Sequence, residues 1–232
     1  MSSGIPPEKQ RQRAPSKRAL ATRERIMDAA EQVFAAHGFE GASLREIAAR
    51  AGVQVALVNH HGGAKEDLFW RVVARRADEL SAARLDALAA RKARGALTLT
   101  AVMECFLAPY LSKAETGGAQ WFAYARLVAV VSADPRWRDL CAHCFDPTAG
   151  RFVAEIAALY PTCPRQTVSA GFVYSVSAML ALLTSRWRIS ALGDGASDTC
   201  EHLDELVTFC SAGIDAIARR QLPPFAAPAQ PL

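Results

Sequence analysis

The chain has 232 residues, 51% of them hydrophobic and 22% charged, a balance that excludes a disordered protein and leaves ample length for a buried core. Its net charge of +4 is unevenly placed: residues 1–76 hold 13 Lys and Arg against 8 Asp and Glu, and the remainder holds 14 against 15. Positive charge therefore gathers in the N-terminal third, where a polyanion is the natural partner, and six cysteines without a secreted spacing pattern exclude a disulfide scaffold.

Residues 1–18 have almost no apolar content and three prolines, so a disordered basic tail is expected there, either reaching a minor groove or merely solvated. An apolar stretch of signal-peptide type is missing from it, which points to a cytoplasmic protein. A first helix is predicted from Thr22, as its cap, to His37, with Ile26, Ala30, Val33 and Phe34 as its core stripe and Gly38-Phe39 as a left-handed stop. Ser43 then caps a second helix, with Glu46 placed to complete a capping box, and Leu44, Ile47, Ala48 and Ala51 mark its apolar face. Gly52 ends it, and a third short helix follows from Gln54 to His60. Ala48 and Gly52 are small where two helices must cross closely, as a helix-turn-helix requires; in that unit the second helix enters the DNA major groove.

A long fourth helix is predicted over Lys65 to Arg91, with Leu68, Phe69, Val72, Val73, Leu80 and Leu88 inward. Beyond Gly95 the periodicity stays helical: Leu97 to Lys113, Ala119 to Ser132, Arg136 to Leu159 with a kink or split at Asp146-Pro147, Arg165 to Leu192, and Cys200 to Arg220. The uncharged run Gln166 to Ser185 approaches the length of a membrane span, but polar residues such as Gln166, Thr167, Ser169, Ser175, Ser177 and Thr184 favour a buried interface helix, and no membrane partner is expected. The expected fold is all-α: a DNA-binding head over 19–66 and a larger helical effector-binding and dimerisation domain over 67–221. A Pro-rich disordered end occupies 222–232.

The run TRERIMDAAEQVFAAHGFEGASLREIAARAGV, followed by VNHHGGAKEDLF, resembles the DNA-binding domain of the TetR family of bacterial transcriptional regulators. Agreement is close from Thr22 to Phe69. The resemblance implies a sequence-specific DNA-binding regulator, most often a repressor released by a small ligand; the apolar surface of the helices over Arg165 to Leu192 and Cys200 to Arg220 predicts a homodimer joined through them, and hence a palindromic operator. A regulator without a small-molecule effector is the alternative. The chain departs from the family at His60-His61-Gly62-Gly63-Ala64-Lys65, where the usual pattern resembles Tyr-His-Phe-Gly-Ser-Lys. With Gly in place of Phe and Ala in place of a capping Ser, a soft joint before the fourth helix is predicted, unless neighbours such as His60 or Trp70 close the space.

Gln54, Val55, Ala56, Asn59 and His60 face outward on the third helix and are the candidates for base contact, with Val53 and Val58 as core anchors; Gln and Asn can bond adenine, and apolar groups can touch thymine methyls. Thr22, Arg23, Ser43, Arg45, His60, His61 and Lys65 are the phosphate candidates. For the effector, an amphipathic or largely apolar molecule whose head Arg126 would meet if it were acidic, the candidates are Arg126, the only charge in Ala119–Ala133, with Met103, Phe106, Trp121, Phe122 and Tyr174 as an apolar wall. The competing reading pairs a buried Arg126 with Glu104 and treats the aromatics as plain core. Cys141 and Cys144 have the C-x-x-C spacing of zinc and redox sites, and a helical-bundle metal or redox protein is the reading of a different class. No second ligand pair follows them, so small buried cysteines are expected. No nucleophile, phosphate-binding or dinucleotide fingerprint appears, so neither catalysis nor a cofactor is expected.

Overall fold

Ser16 starts the first helix: its hydroxyl accepts from the Ala19 N–H at 3.2 Å, and α1 spans Lys17–Gly41 in the computed structural model, which describes residues 16–193 and 202–220. The predicted start at Thr22 is corrected by more than one turn, and Lys17 and Arg18 leave the expected tail for the helix. Thr22 lies inside α1 and its hydroxyl donates back to the Arg18 carbonyl at 2.9 Å; the residues before it are good helix formers, so the cap falls to the nearest serine upstream. Gly38 breaks α1 at φ 68°, and Phe39 beyond it folds back onto Phe34 and Phe69. The rest of the expected N-terminal tail and the Pro-rich end lie outside the described residues.

Nine further helices follow among the described residues: α2 (Leu44–Ala51), α3 (Val55–Gly62), α4 (Lys65–Ala93), α5 (Leu99–Thr116), α6 (Ala119–Ala133), α7 (Arg138–Cys144), α8 (Asp146–Leu159), α9 (Arg165–Leu192) and α10 (Leu203–Arg219). A 3-10 turn, Pro135–Trp137, leads into α7. Asp146-Pro147 splits the helix predicted over Arg136 to Leu159, because proline fits the first turn of α8 but not the interior of one continuous helix. The predicted start of the last helix at Cys200 lies outside the described residues, and α10 begins at Leu203.

Ile26, Val33, Phe34, Ile47, Val58 and Phe69 form the core of the small head, and Phe106, Leu107, Tyr124, Phe152 and Met179 that of the larger part. α4 belongs to both: Phe69 and Val72 are buried in the first and Leu80 and Leu88 in the second. At 1.5 Å per residue, Lys65 and Arg84 are about 28 Å apart along it. Its first half is clamped to α1 by charge. Glu31, fully buried, accepts from Arg76 Nε at 2.5 Å, while Arg75 reaches Asp28 at 2.7 Å and Glu24 at 3.1 Å.

α9 is long and apolar enough to cross a membrane, yet Val168, Phe172, Met179 and Leu183 are buried inside the molecule. It packs on α10 at Gly171, where an added Cβ would meet Ile217 Cδ1 at 2.9 Å and Ile214 Cγ1 at 3.0 Å. On the outer faces of the two helices Val173, Tyr174, Trp187 and Phe209 remain exposed.

Candidate nucleic-acid interface and effector cavity

The helix-turn-helix is built by caps and one left-handed glycine. Ser43 Oγ accepts from the Glu46 N–H at 3.2 Å and starts α2; the Glu46 carboxylate does not close the expected box but meets His37 Nε2 at 2.9 Å. Gly52 sits at φ 64°, ψ 40°, so that its own N–H reaches the Ala49 carbonyl at 3.2 Å and the Val53 N–H the Ala48 carbonyl at 3.0 Å. α3 then rests on fully buried Val58 and leaves its other face to solvent.

That face carries Gln54, Val55, Ala56, Asn59 and His60, all exposed. Leu57 joins them, an apolar side chain that Val58 masked in the periodicity. Arg23 and Arg45 are exposed, and Ser43 is exposed although its hydroxyl already caps α2. The His60 and His61 rings meet edge-on with centroids 5.0 Å apart. Burial first, then His60 and Arg23, hold His61 below the ordinary histidine range, so it is a neutral N–H donor at neutral pH. Lys65 is half-buried, donates to the Glu40 carbonyl at 3.2 Å and lies 4.7 Å from the Phe39 ring centroid, while Thr22 spends its hydroxyl proton on Arg18. These two positions are tied into the head rather than open.

The joint between α3 and α4 overturns the expectation of softness. Gly62 is buried, and a Cβ there would meet Leu68 Cδ1 at 2.9 Å and Leu68 Cβ and Cγ at 3.3 Å. Leu68, not His60 or Trp70, fills the place where the family pattern has Phe. Asp67 Oδ2 takes over the cap, accepting from the Ala64 N–H at 3.1 Å, and Arg71 donates to the His61 carbonyl at 2.8 Å. Gly63 adopts φ 79°, and the Asp67 carboxylate lies so near that a Cβ would stand 2.8 Å from it.

Under the far half of α4 lies a cavity of about 80 Å³, walled by Leu80, Phe106, Val128, Phe172, Val176 and Met179. Arg84 enters it and is only 8% exposed. Its Nε donates to the Phe106 carbonyl at 2.9 Å, its Nη2 meets Met179 Sδ at 3.6 Å, and its guanidinium lies 3.8 Å from the Phe106 ring centroid. Among the described residues it has no carboxylate partner. Burial lowers its pKa to about 10, which still leaves it charged at neutral pH. Tyr110, 1% exposed, borders the same space; its hydroxyl has no hydrogen-bond partner, and burial raises its pKa, so the phenol keeps its proton.

Of the predicted effector residues, only Phe106 lines this cavity. Arg126 is exposed, and so is Glu104, so both readings that placed Arg126 inside are corrected. Phe122, Arg126 and Val130 recur every four residues along α6 and turn outward together, while Trp121, Tyr124, Ala125 and Val128 turn in; rotating the charge into water avoids several kcal/mol of desolvation. Phe122 is half-buried beneath Arg186, and Tyr174 is 66% exposed on α9. Met103 and Trp121 are buried core, Trp121 stacked edge-on with Tyr110 and Tyr124. The sequence did carry a signal for Arg84: it falls between Leu80 and Leu88 at four-residue spacing, on the stripe predicted to face inward.

Cys144 is buried and Cys141 half-buried. Burial pushes the Cys144 thiol up to about 11 and raises that of Cys141, so both are thiols rather than thiolates at neutral pH. Among the described residues, no three of His, Cys, Asp and Glu gather in a metal-binding group.

Two family models match the chain. One described as bacterial regulatory proteins of the tetR family covers residues 26–72, and one described as the C-terminal domain of tetracyclin repressor-like proteins covers residues 104–213. The HTH-type transcriptional regulatory protein RaaS of Mycobacterium tuberculosis is 53% identical over 49 residues, 21% of this chain and 23% of that protein. The HTH-type transcriptional repressor AcnR of Corynebacterium glutamicum is 40% identical over 48 residues, 21% of this chain and 26% of that protein. The matched segment thus spans about a quarter of each of these curated relatives. A solved bacterial regulatory protein of the tetR family from Rhodococcus RHA1 shares the fold at a TM-score of 0.60 and 19% identity, over 86% of this chain and 98% of that one.

Proposed function

The chain belongs to the TetR family of bacterial regulatory proteins, and from that premise we propose that it is a sequence-specific DNA-binding transcriptional regulator, a dimeric repressor released by a small ligand. The observation that carries the DNA-binding reading is α3, anchored by buried Val58 and Gly62 and presenting Gln54, Val55, Ala56, Leu57 and Asn59 to solvent at the basic end of the chain. Those side chains match what a major groove offers: amide groups for adenine edges and methyl-bearing groups for thymine. Arg23, Arg45, Ser43, His60 and His61 flank them as phosphate contacts, with Lys65 and Thr22 in supporting places.

The exposed apolar faces of α9 and α10 support a twofold dimer, in which two copies of α3 address successive major grooves of a palindromic operator about 34 Å apart. α4 supports the ligand response, since one rigid helix borders the cavity at Arg84 and is clamped to α1 of the head through Arg75 and Arg76. A ligand that favours one position of α4 changes the spacing of the two heads and so competes with DNA.

Capture of genomic fragments on the purified protein, followed by fluorescence anisotropy on the enriched fragment, tests the reading. Gln54→Ala with Asn59→Ala should leave thermal stability within about 0.5 kcal/mol, as exposed positions do, and cost about 1–3 kcal/mol of discrimination at each base lost. Equal affinity of the variant and the wild type for the enriched fragment and for random DNA would end the proposal.

A further inference from the structure

We infer that the effector is a small monocarboxylate with a compact apolar body, held by its carboxylate on Arg84 and Tyr110 in the cavity beneath α4. The inference rests on the ligand-responsive reading above and narrows it to one chemistry.

Three observations meet at this place. The first is a cation where a cation is costly: Arg84 is buried among Leu80, Phe106, Phe172 and Met179, and no described carboxylate answers it. Natural cores pair such a charge or replace it, because removing a guanidinium from water costs several kcal/mol. Its Nε is already used on the Phe106 carbonyl, whereas Nη1 and Nη2 meet no oxygen of the described residues. That outer edge is the one that grips a carboxylate through two parallel hydrogen bonds. The second is the Tyr110 hydroxyl, buried without a partner in a residue that borders the same cavity. Buried hydroxyls are rarely left so, and a protonated phenol adds a third donor toward an anion.

The third is the remainder of the wall. Among the described residues lining the cavity, Arg84 is the only charged one, and the others are mostly aliphatic and aromatic. One positive charge balances a monoanion; a phosphate dianion would carry an uncompensated charge into an apolar space. The size follows from the volume: about 80 Å³ is well under the ~150 Å³ that holds benzene in an engineered cavity of another protein, which suits a chain on the order of four carbons. A bound carboxylate would offset the desolvation cost that Arg84 carries alone, and so would favour the position of α4 in which the two pair.

The test uses the full-length protein with propionate and butyrate, each beside its neutral amide, and reads binding by calorimetry without DNA. The carboxylates should bind and the amides should bind at least about tenfold more weakly. Arg84→Met should lose carboxylate binding by at least about tenfold and, with a lone buried charge replaced by an apolar chain, show a higher Tm; Arg126→Met should match the wild type in both. Carboxylates that fail to bind at millimolar concentration, or that bind no better than their amides, overturn the inference without recourse to a variant. A lower Tm in Arg84→Met with carboxylate binding intact overturns it too, and makes Arg84 a packing residue. Anisotropy on the captured fragment separates the two readings. Carboxylate binding that leaves DNA bound keeps the site and ends the ligand-response proposal. DNA release by the amides alone does the reverse.

Discussion

Gly62→Ala is the sharpest perturbation of the head, because one methyl group decides whether the joint between α3 and α4 is open or filled. Built on the backbone, the new Cβ stands 2.9 Å from Leu68 Cδ1 and 3.3 Å from both Cβ and Cγ, against the 3.5–4.0 Å of an ordinary carbon contact. Rotation of the δ-methyl does not relieve the contact, because Leu68 is fully buried and its Cβ is fixed by the helix, so the strain passes to the backbone. Overpacking of this kind costs about 1–3 kcal/mol. Alanine gains up to about 1 kcal/mol over glycine inside a helix, and less at position 62, the last residue of α3. The net loss should be about 1–2 kcal/mol, or roughly 2–8 °C in Tm for a chain of this size. Thermal and urea unfolding should be followed by circular dichroism at one protein concentration for both proteins, since a dimer's stability depends on it. DNA affinity should fall in parallel, because α3 can relieve the contact only by shifting against α4. A higher Tm together with tighter DNA binding would refute the filled joint and restore the soft one.

Two further outcomes follow from the geometry. Phe209→Arg or Tyr174→Arg should leave the subunit folded but shift sedimentation toward the monomer, because both side chains are exposed, whereas Leu183→Arg and Ile214→Arg should unfold it, because both are buried within one subunit; a stable Phe209→Arg dimer would exclude α10 from the interface. Burial outweighs Arg76 and Arg75 at Glu31 and holds its carboxyl above the ordinary value of 4.5, so its contribution to stability is present below that value and is lost as pH rises through the folded pKa. Glu31→Gln, neutral throughout, should therefore gain on the wild type in unfolding experiments as pH rises above 4.5, and a gap that closes as pH rises would contradict the burial argument.

The all-α class, the helix-turn-helix and most helix ends were legible in the sequence because their causes are local. Ser43 lies one residue before the helix it caps, Gly38 and Gly52 stop the chain through their own left-handed φ, and Pro147 divides a helix through its own missing N–H. Even the start of α1 had a local cause in Ser16, obscured only because Thr22 is an equally good cap by residue type. Periodicity shows which residues share a face, but not which neighbour covers that face. Arg84 and Arg126 each lie at four-residue spacing from apolar neighbours, so the spacing marks both alike and does not say which cation goes inside. That is settled by α5, α8 and α9 closing around Arg84, while the stripe of Phe122, Arg126 and Val130 is left at the surface. Gly62 is the same case in miniature: a missing side chain reads as a gap in one dimension, and only the return of α4 brings Leu68 into the space the glycine leaves.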